Sequence, residues 1–263
     1  MHATAAVAAP CPAASAAPLN AILWMQTSAE YQAITREIYR TARTQLDLAL
    51  ADPAWSALGQ AATTLPPAVI LDLDETAIDT SAQGARQVRS ATGYSDQAWM
   101  AFSMAGNARA IQPALDFFRY AASRNVAVFY ITNRGAQEKP PLLRNLTALG
   151  FPNVSEATVL TRGERPEWTG DKSSRRQFVA SQYRVVELFG DDLNDFVNAA
   201  GKSIADRNTL LNANDEQLGR RWFVLPNPVY GSWERTLFGG ATTGCAQYQN
   251  KVNALRTDED YRP

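Results

Sequence analysis

Four short apolar runs recur along this chain, and each has the form of a strand buried on both faces. They are Ala68-Val69-Ile70-Leu71, Val126-Ala127-Val128-Phe129-Tyr130-Ile131, Val185-Val186-Glu187-Leu188-Phe189 and Trp222-Phe223-Val224-Leu225. A strand exposed on one face alternates polar and apolar residues, whereas a nearly continuous run implies cover on both sides. Helical signals lie between them: about 113–124, opened by Pro113; about 140–149, closed by Gly150; and about 172–182. This alternation predicts an α/β fold, a parallel central sheet flanked by helices. In such sheets ligands bind beyond the carboxyl ends of the strands. Three of the four strands end there in polar residues, so function is expected at that edge.

Composition narrows the chemistry. The chain has 263 residues, of which 46 % are hydrophobic and 19 % charged, enough for a large core with a smaller appendage. Its 25 Lys and Arg against 26 Asp and Glu give a formal net charge of −1, without the basic excess of a dedicated nucleic-acid binder. Its apolar runs are too short and too interrupted to span a bilayer. One histidine, His2, and two distant cysteines, Cys11 and Cys245, exclude histidine nucleophiles, Ser-His-Asp hydrolases, His-rich zinc sites and C-x-x-C motifs. Side-chain chemistry falls mostly to carboxylates.

Residues 3–18 are almost all Ala, Pro, Ser and Thr. We read 1–18 as a flexible leader, the stub of an export signal, because it cannot offset its ordering entropy by burial. Cys11 follows Ala8-Ala9-Pro10, a poor lipobox, and a Cys11–Cys245 disulfide is open to an exported chain. An N-terminal helical segment is expected over 19–65. A helix should begin near Ser28, where Thr27-Ser28-Ala29-Glu30 has the form of a capping box. Ile34, Ile38, Ala42, Leu46 and Leu50 would form its apolar stripe, and Asp52-Pro53 would end it. The main core is expected over 66–263, with a small cap-like helical insertion around 80–112.

The strand ends carry the signals. The first reads Asp72-Leu73-Asp74-Glu75-Thr76, where alternation lets Asp72 and Asp74 point the same way. Two close carboxylates are tolerable when a cation bridges them or one holds a proton. The second strand ends in Thr132-Asn133-Arg134, where a hydroxyl and loop N–H groups suit an anionic oxygen. Lys172 follows at a helix start, and an inward-reaching lysine would neutralise both a phosphate and an acidic cluster. The third strand ends in Gly190-Asp191-Asp192-Leu193-Asn194-Asp195-Phe196. There Gly190 permits a sharp turn and Asp191 can join Asp72 around a hard divalent cation. Taken singly, these signals read equally as a solvated loop, a turn and an exposed helix start.

Their order is more specific than any one of them. Acid pair, hydroxyl, lysine and acid cluster resemble the four motifs of the haloacid dehalogenase (HAD) superfamily, whose phosphatases open with Asp-x-Asp-x-Thr, here Asp72, Asp74 and Thr76. Several segments are similar to the class C bacterial acid phosphatases of HAD subfamily IIIB: residues 23–31, Leu71 to Thr76, Tyr130 to Arg134, Lys172 with Arg175, residues 190–196, and Leu225 to Glu234. The resemblance covers about residues 20–235. It implies a Rossmann-like HAD core with a smaller helical part, and a periplasmic or outer-membrane, Mg²⁺-dependent phosphomonoesterase. Small phosphate monoesters, nucleotides among them, would be the substrates. No nucleic-acid polymer is implied, membrane attachment would require lipidation, and a homodimer is left open.

Carried over by position, Asp72 would be the nucleophile and Asp74 the general acid and base. Asp72, the Asp74 backbone carbonyl and Asp191 would be Mg²⁺ ligands. Thr132, Asn133 and Lys172 would hold the phosphoryl group, and Asp195 and Asp192 would support the metal waters or Lys172. Trp99 and Tyr230 match aromatics that flank the substrate base, and Trp24 and Tyr31 are further candidates for that slot, with packing the simpler reading of both. Thr80 stands where relatives carry Asn, and Ala82-Gln83-Gly84-Ala85-Arg86 replaces the usual glycine and aromatics, so leaving-group preference stays open. A phospho-receiver domain uses similar residues, but carries its acidic pair and its phospho-accepting Asp on different strands. Asp72-Leu73-Asp74 points instead to an enzyme that turns over. A phosphotransferase and a non-catalytic nucleotide-binding protein are the remaining alternatives.

Overall fold

The computed structural model describes residues 12–257. Its strands are β1 (Pro67–Leu71), β2 (Ile78–Asp79), β3 (Arg109–Ala110), β4 (Ala127–Gly135), β5 (Val159–Arg162), β6 (Arg184–Gly190) and β7 (Trp222–Val224). Five of them form one parallel sheet in the order β5-β4-β1-β6-β7, and β2 pairs antiparallel with β3. From β1 the chain runs outward through β4 and β5, then returns to place β6 and β7 on the other side. That reversal opens a crevice at the carboxyl ends of β1 and β6.

The helices are α1 (Pro12–Ala16), α2 (Leu19–Thr27), α3 (Ala29–Ala51), α4 (Ser81–Arg89), α5 (Asp96–Ala105), α6 (Gln112–Ser123), α7 (Lys139–Leu149), α8 (Ser173–Ala180), α9 (Ile204–Asn212), α10 (Ser232–Arg235) and α11 (Gly244–Asn253). Alternate residues of β1 feed opposite cores. Val69 and Leu71 pack with residues of α3, α6 and α7, whereas Ala68 and Ile70 pack with Val179, Phe196 and Trp222. This is the period of two that an unbroken apolar strand conceals. Among the described residues no helix is long and apolar enough to cross a membrane.

Several expectations needed correction. Ser28, not Thr27, caps α3, its hydroxyl accepting from the Tyr31 N–H at 3.0 Å. Thr27 instead donates to the Leu23 carbonyl at 2.6 Å. The buried stripe of α3 is Tyr31, Thr35, Tyr39, Ala42, Leu46 and Ala49, and Ile34 is exposed. Strict steps of four drift around a helix with 3.6 residues per turn; alternating steps of four and three do not. The short strand β5 went unseen because Val159-Leu160 is too brief a run to register. Residues 12–16 of the expected leader are helical and pack against α11, with Ser15 buried. Residues 1–11, and with them the Cys11 end of the suggested disulfide, lie outside the described residues.

Glu187 is the one charged-type residue in an otherwise apolar strand run. It is fully buried, and neither carboxyl oxygen has a hydrogen-bond partner among the described residues. Burial, reinforced by Asp47 on α3, pushes its pKa well above the ordinary carboxylate range. Asp47 itself is engaged by Tyr120 and Arg124. The folded protein therefore keeps a proton on Glu187 that the unfolded chain releases above the usual Glu range. That contribution is complete in acid and drains away as pH rises. Glu187→Leu should raise stability at pH 8 by about 1–3 kcal/mol, the cost of a buried unsatisfied polar group, and by less at pH 4. Thermal melts at the two pH values measure the difference.

Candidate active site

The site begins where β1 runs out. The Asp72 N–H donates to the Phe189 carbonyl at 2.9 Å, extending the β1–β6 ladder one residue past Leu71. Leu73 then turns into the core, and its carbonyl receives the N–H groups of Thr76, Ala77 and Ile78. This tight turn leaves Asp72 and Asp74 on the ligand side, but with different partners. Lys172 Nζ donates to Asp72 Oδ1 and, at 2.6 Å, to Asp195 Oδ1. Asp74 is held by Arg134 in a fork, with Nη2 to Oδ1 at 2.6 Å and Nε to Oδ2 at 3.1 Å.

Asp191 approaches from β6. Its carboxylate accepts from Asn227 Nδ2 at 2.8 Å and from the Thr76 hydroxyl at 3.4 Å. Carboxylate oxygens of Asp72, Asp191 and Asp195 all lie within 4.8 Å of one another. One lysine cannot balance three buried carboxylates. Burial pushes the Asp72 carboxyl up to about 7, with Lys172 opposing the rise and Asp195 and Asp74 adding to it. Asp191 is pushed well above its usual range by burial, then by Asp72 and Asp195. Lys172, despite burial, is raised by Asp195 and Asp72 and stays an ammonium. A hard divalent cation fits this donor set: all ligands are oxygens, and positive charge is what the cluster lacks.

Gly190 is required here for closeness rather than for a positive φ. A Cβ on it would meet Asp195 Oδ2 at 2.2 Å and Asp195 Cβ at 2.3 Å. Asp195 is further fixed by the Asp192 N–H, which donates to Oδ2 at 3.0 Å, and by Arg176, which takes the Asn194 and Asp195 carbonyls. Asp192 turns away from the cluster; it caps residues 193–195 and receives the N–H and hydroxyl of Ser232. A role for it in supporting the metal or Lys172 does not follow from this placement.

The Thr132 side chain is buried at the end of the second core strand, accepting from the Arg134 N–H at 3.2 Å. The Asn133 amide does not face the site. Its Oδ1 accepts from Arg175 at 2.7 Å and its Nδ2 donates to the Gly170 carbonyl at 3.0 Å, which leaves only its backbone for an anion. Fully buried Arg175 also holds the Thr132 and Thr169 carbonyls, tying the second motif loop to the lysine loop. Burial lowers its pKa to about 10, which still leaves it charged near neutrality.

Two aromatics are linked to the Asp74 turn. The Arg134 guanidinium that grips Asp74 lies 5.2 Å from the Trp99 ring centroid, and Trp99 Nε1 donates to Glu138 at 3.1 Å. Tyr230 donates its hydroxyl to Glu75, the residue after Asp74. Burial, with Asp74 adding to it, pushes the Glu75 carboxyl up to about 8, against the pull of its hydrogen bonds. Trp24 and Tyr31 pack edge to face with centroids 5.5 Å apart where α2 meets α3, and burial, with Glu75, Asp79 and Asp191 adding to it, raises the pKa of the Tyr31 phenol, so that hydroxyl lies near the acids of the site. Sequence reasoning gives no individual role to four contributors: Arg134, Glu75, Arg175 and Asn227. All four lie inside recognised segments, but nothing local reveals that Arg134 reaches Asp74 or that Asn227 reaches Asp191.

A strand-end carboxylate beside a lysine, a second acid two residues on, and an acidic pocket for a cation define a HAD-type phosphomonoesterase. Comparison with known proteins agrees. Residues 2–233 match the HAD superfamily, subfamily IIIB (acid phosphatase), and the chain belongs to that family. It is similar to the class C acid phosphatase of Bacillus anthracis at 31 % identity, over 93 % of this chain and 98 % of that one, with a TM-score of 0.84. A tungstate-bound structure of the Bacillus anthracis enzyme matches at the same identity and TM-score, over 92 % and 98 % of the two chains.

Gly190→Ala should displace Asp195, and with it Lys172. Misplacing a phosphoryl-binding group by about 1 Å costs roughly 10²-fold. The expected outcome is a drop of that order in kcat/KM for an aryl phosphate, with an unchanged far-ultraviolet circular dichroism spectrum.

Proposed function

We propose that this acid phosphatase is Mg²⁺-dependent, proceeds through an aspartyl-phosphate on Asp72, and accepts nucleoside monophosphates among its esters. One observation carries the reading. Asp72 and Asp74, two residues apart, are held by separate cations in separate settings, so each is free for a different task. A dianionic phosphoryl group would seat against Lys172 and Thr132. Charge spreading over its equatorial oxygens in the transition state meets positive groups already in place.

A carboxylate oxygen of Asp72 attacks phosphorus in line, and the bond to the ester oxygen breaks. One Asp74 oxygen, once it leaves the Arg134 fork and takes up a proton, gives that proton to the leaving oxygen. As a carboxylate it then takes a proton from water, whose oxygen attacks phosphorus. The Asp72–phosphorus bond breaks and inorganic phosphate leaves. Asp72, Asp191 and the Asp74 backbone carbonyl would hold Mg²⁺, which when bound supplies positive charge against the phosphoryl oxygens. Tungstate, a tetrahedral oxyanion shaped like phosphate, is bound in the Bacillus anthracis relative, which supports an oxyanion seat here. Trp99 and Tyr230 beside Asp74 favour a planar leaving group such as a nucleoside.

Asp72→Asn should lower kcat by roughly 10⁴-fold or more, as losing a nucleophile does. Asp74→Asn should cost roughly 10²–10⁴-fold, the usual worth of acid–base help. Phosphate release from p-nitrophenyl phosphate measures both, and full activity in Asp72→Asn would overturn the mechanism. EDTA should abolish turnover and Mg²⁺ restore it. Binding of nucleoside monophosphate without phosphate release would favour the non-catalytic alternative, and transfer to an added nucleoside would favour the phosphotransferase.

A further inference from the structure

Glu75 is a buried carboxyl with no part in the steps above. It is 1 % exposed and its backbone sits at φ +58°, in the left-handed region that is uncommon for residues other than glycine. Its Oε1 accepts from the Thr80 N–H at 2.9 Å and the Thr80 hydroxyl at 2.6 Å, while Oε2 receives the Tyr230 hydroxyl. The acid cluster of Asp72, Asp191 and Asp195 does not include it.

Tyr230 is held at both ends. Its backbone N–H donates to Asn227 Oδ1 at 3.3 Å, in the turn that also aims Asn227 at Asp191. The residue is 39 % exposed even though its hydroxyl is engaged with buried Glu75. An exposed ring tethered only at the backbone would sample several rotamers. Anchoring the hydroxyl fixes the direction of the ring axis, and Trp99 is held likewise by Glu138 and by the Arg134 guanidinium.

We propose that Glu75 is a positioning residue that holds Tyr230 as a rigid wall of the leaving-group slot and so sets the preference for phosphate esters with planar aromatic leaving groups. The inference rests on the nucleotide slot proposed above. Preorganising a wall lowers the ordering cost that the ligand would otherwise meet.

The test uses the Mg²⁺-loaded full chain with adenosine 5′-monophosphate and glycerol phosphate, and reads the ratio of their kcat/KM values. Tyr230→Phe, which keeps the ring, and Glu75→Met, which keeps the length, should each lower that ratio about tenfold. That is the equivalent of about 1.4 kcal/mol of stacking. The double variant should be no worse than either single one, because both break one contact. A general structural fault would lower both substrates together and leave the ratio unchanged, which would overturn the proposal, as would additive losses. Should Glu75→Met fail to fold, Tyr230→Phe decides alone. Tyr230→Ala separates the two readings. If it leaves the ratio unchanged, the slot itself is wrong and the proposal falls with it. If it lowers the ratio and Tyr230→Phe does not, only the anchoring role of Glu75 is refuted.

Discussion

Three carboxylates buried within 4.8 Å of one another are electrostatically untenable alone, and much of this fold can be understood as the means of keeping Asp72, Asp191 and Asp195 there. Lys172 is shared between Asp72 and Asp195 and meets part of the charge. Asn227 and Thr76 supply neutral donors to Asp191. Arg176 and the Asp192 N–H pin the loop that carries Asp195, and the bare Cα of Gly190 gives Asp195 room to lie flat against the strand end. The remaining deficit of positive charge is what a hard divalent cation would resolve.

The same arrangement separates two carboxyls that a reader of Asp72-Leu73-Asp74 would treat as equivalent. Asp72 is buried against an ammonium, whereas Asp74 is gripped by a guanidinium reaching from the next strand end. The guanidinium is itself sandwiched by α5, through Trp99 and the Ser103 hydroxyl. Through Trp99 and Ser103 the segment between β1 and β4 therefore bears on Asp74 by way of Arg134.

Much of this was legible before any fold was known. Buried strands read as apolar runs because both faces are covered, and polar residues directly after such runs have few places to go except the ligand edge. Asp72, Thr132 and Asp191 are legible that way, and Lys172, at a helix start, only by its place in the order of the motifs. The errors have equally physical causes. Ile34 was placed in the α3 stripe because steps of four ignore helical drift. Asn133 keeps only its backbone N–H for an anion, because Arg175 and Gly170 claim its side-chain amide. Gly190 was credited with a turn when its role is to make space.

Burial periodicity and residue type are local properties, so the parallel α/β architecture, the strand ends that carry the chemistry and the identity of the acids and lysine can be read along the chain. Which partner each charge meets is a property of the folded arrangement alone. Arg134 on Asp74, Asn227 on Asp191 and Tyr230 on Glu75 join residues 60, 36 and 155 positions apart. Contacts across such distances depend on how sheet order and loop packing bring remote segments together, which no local pattern encodes.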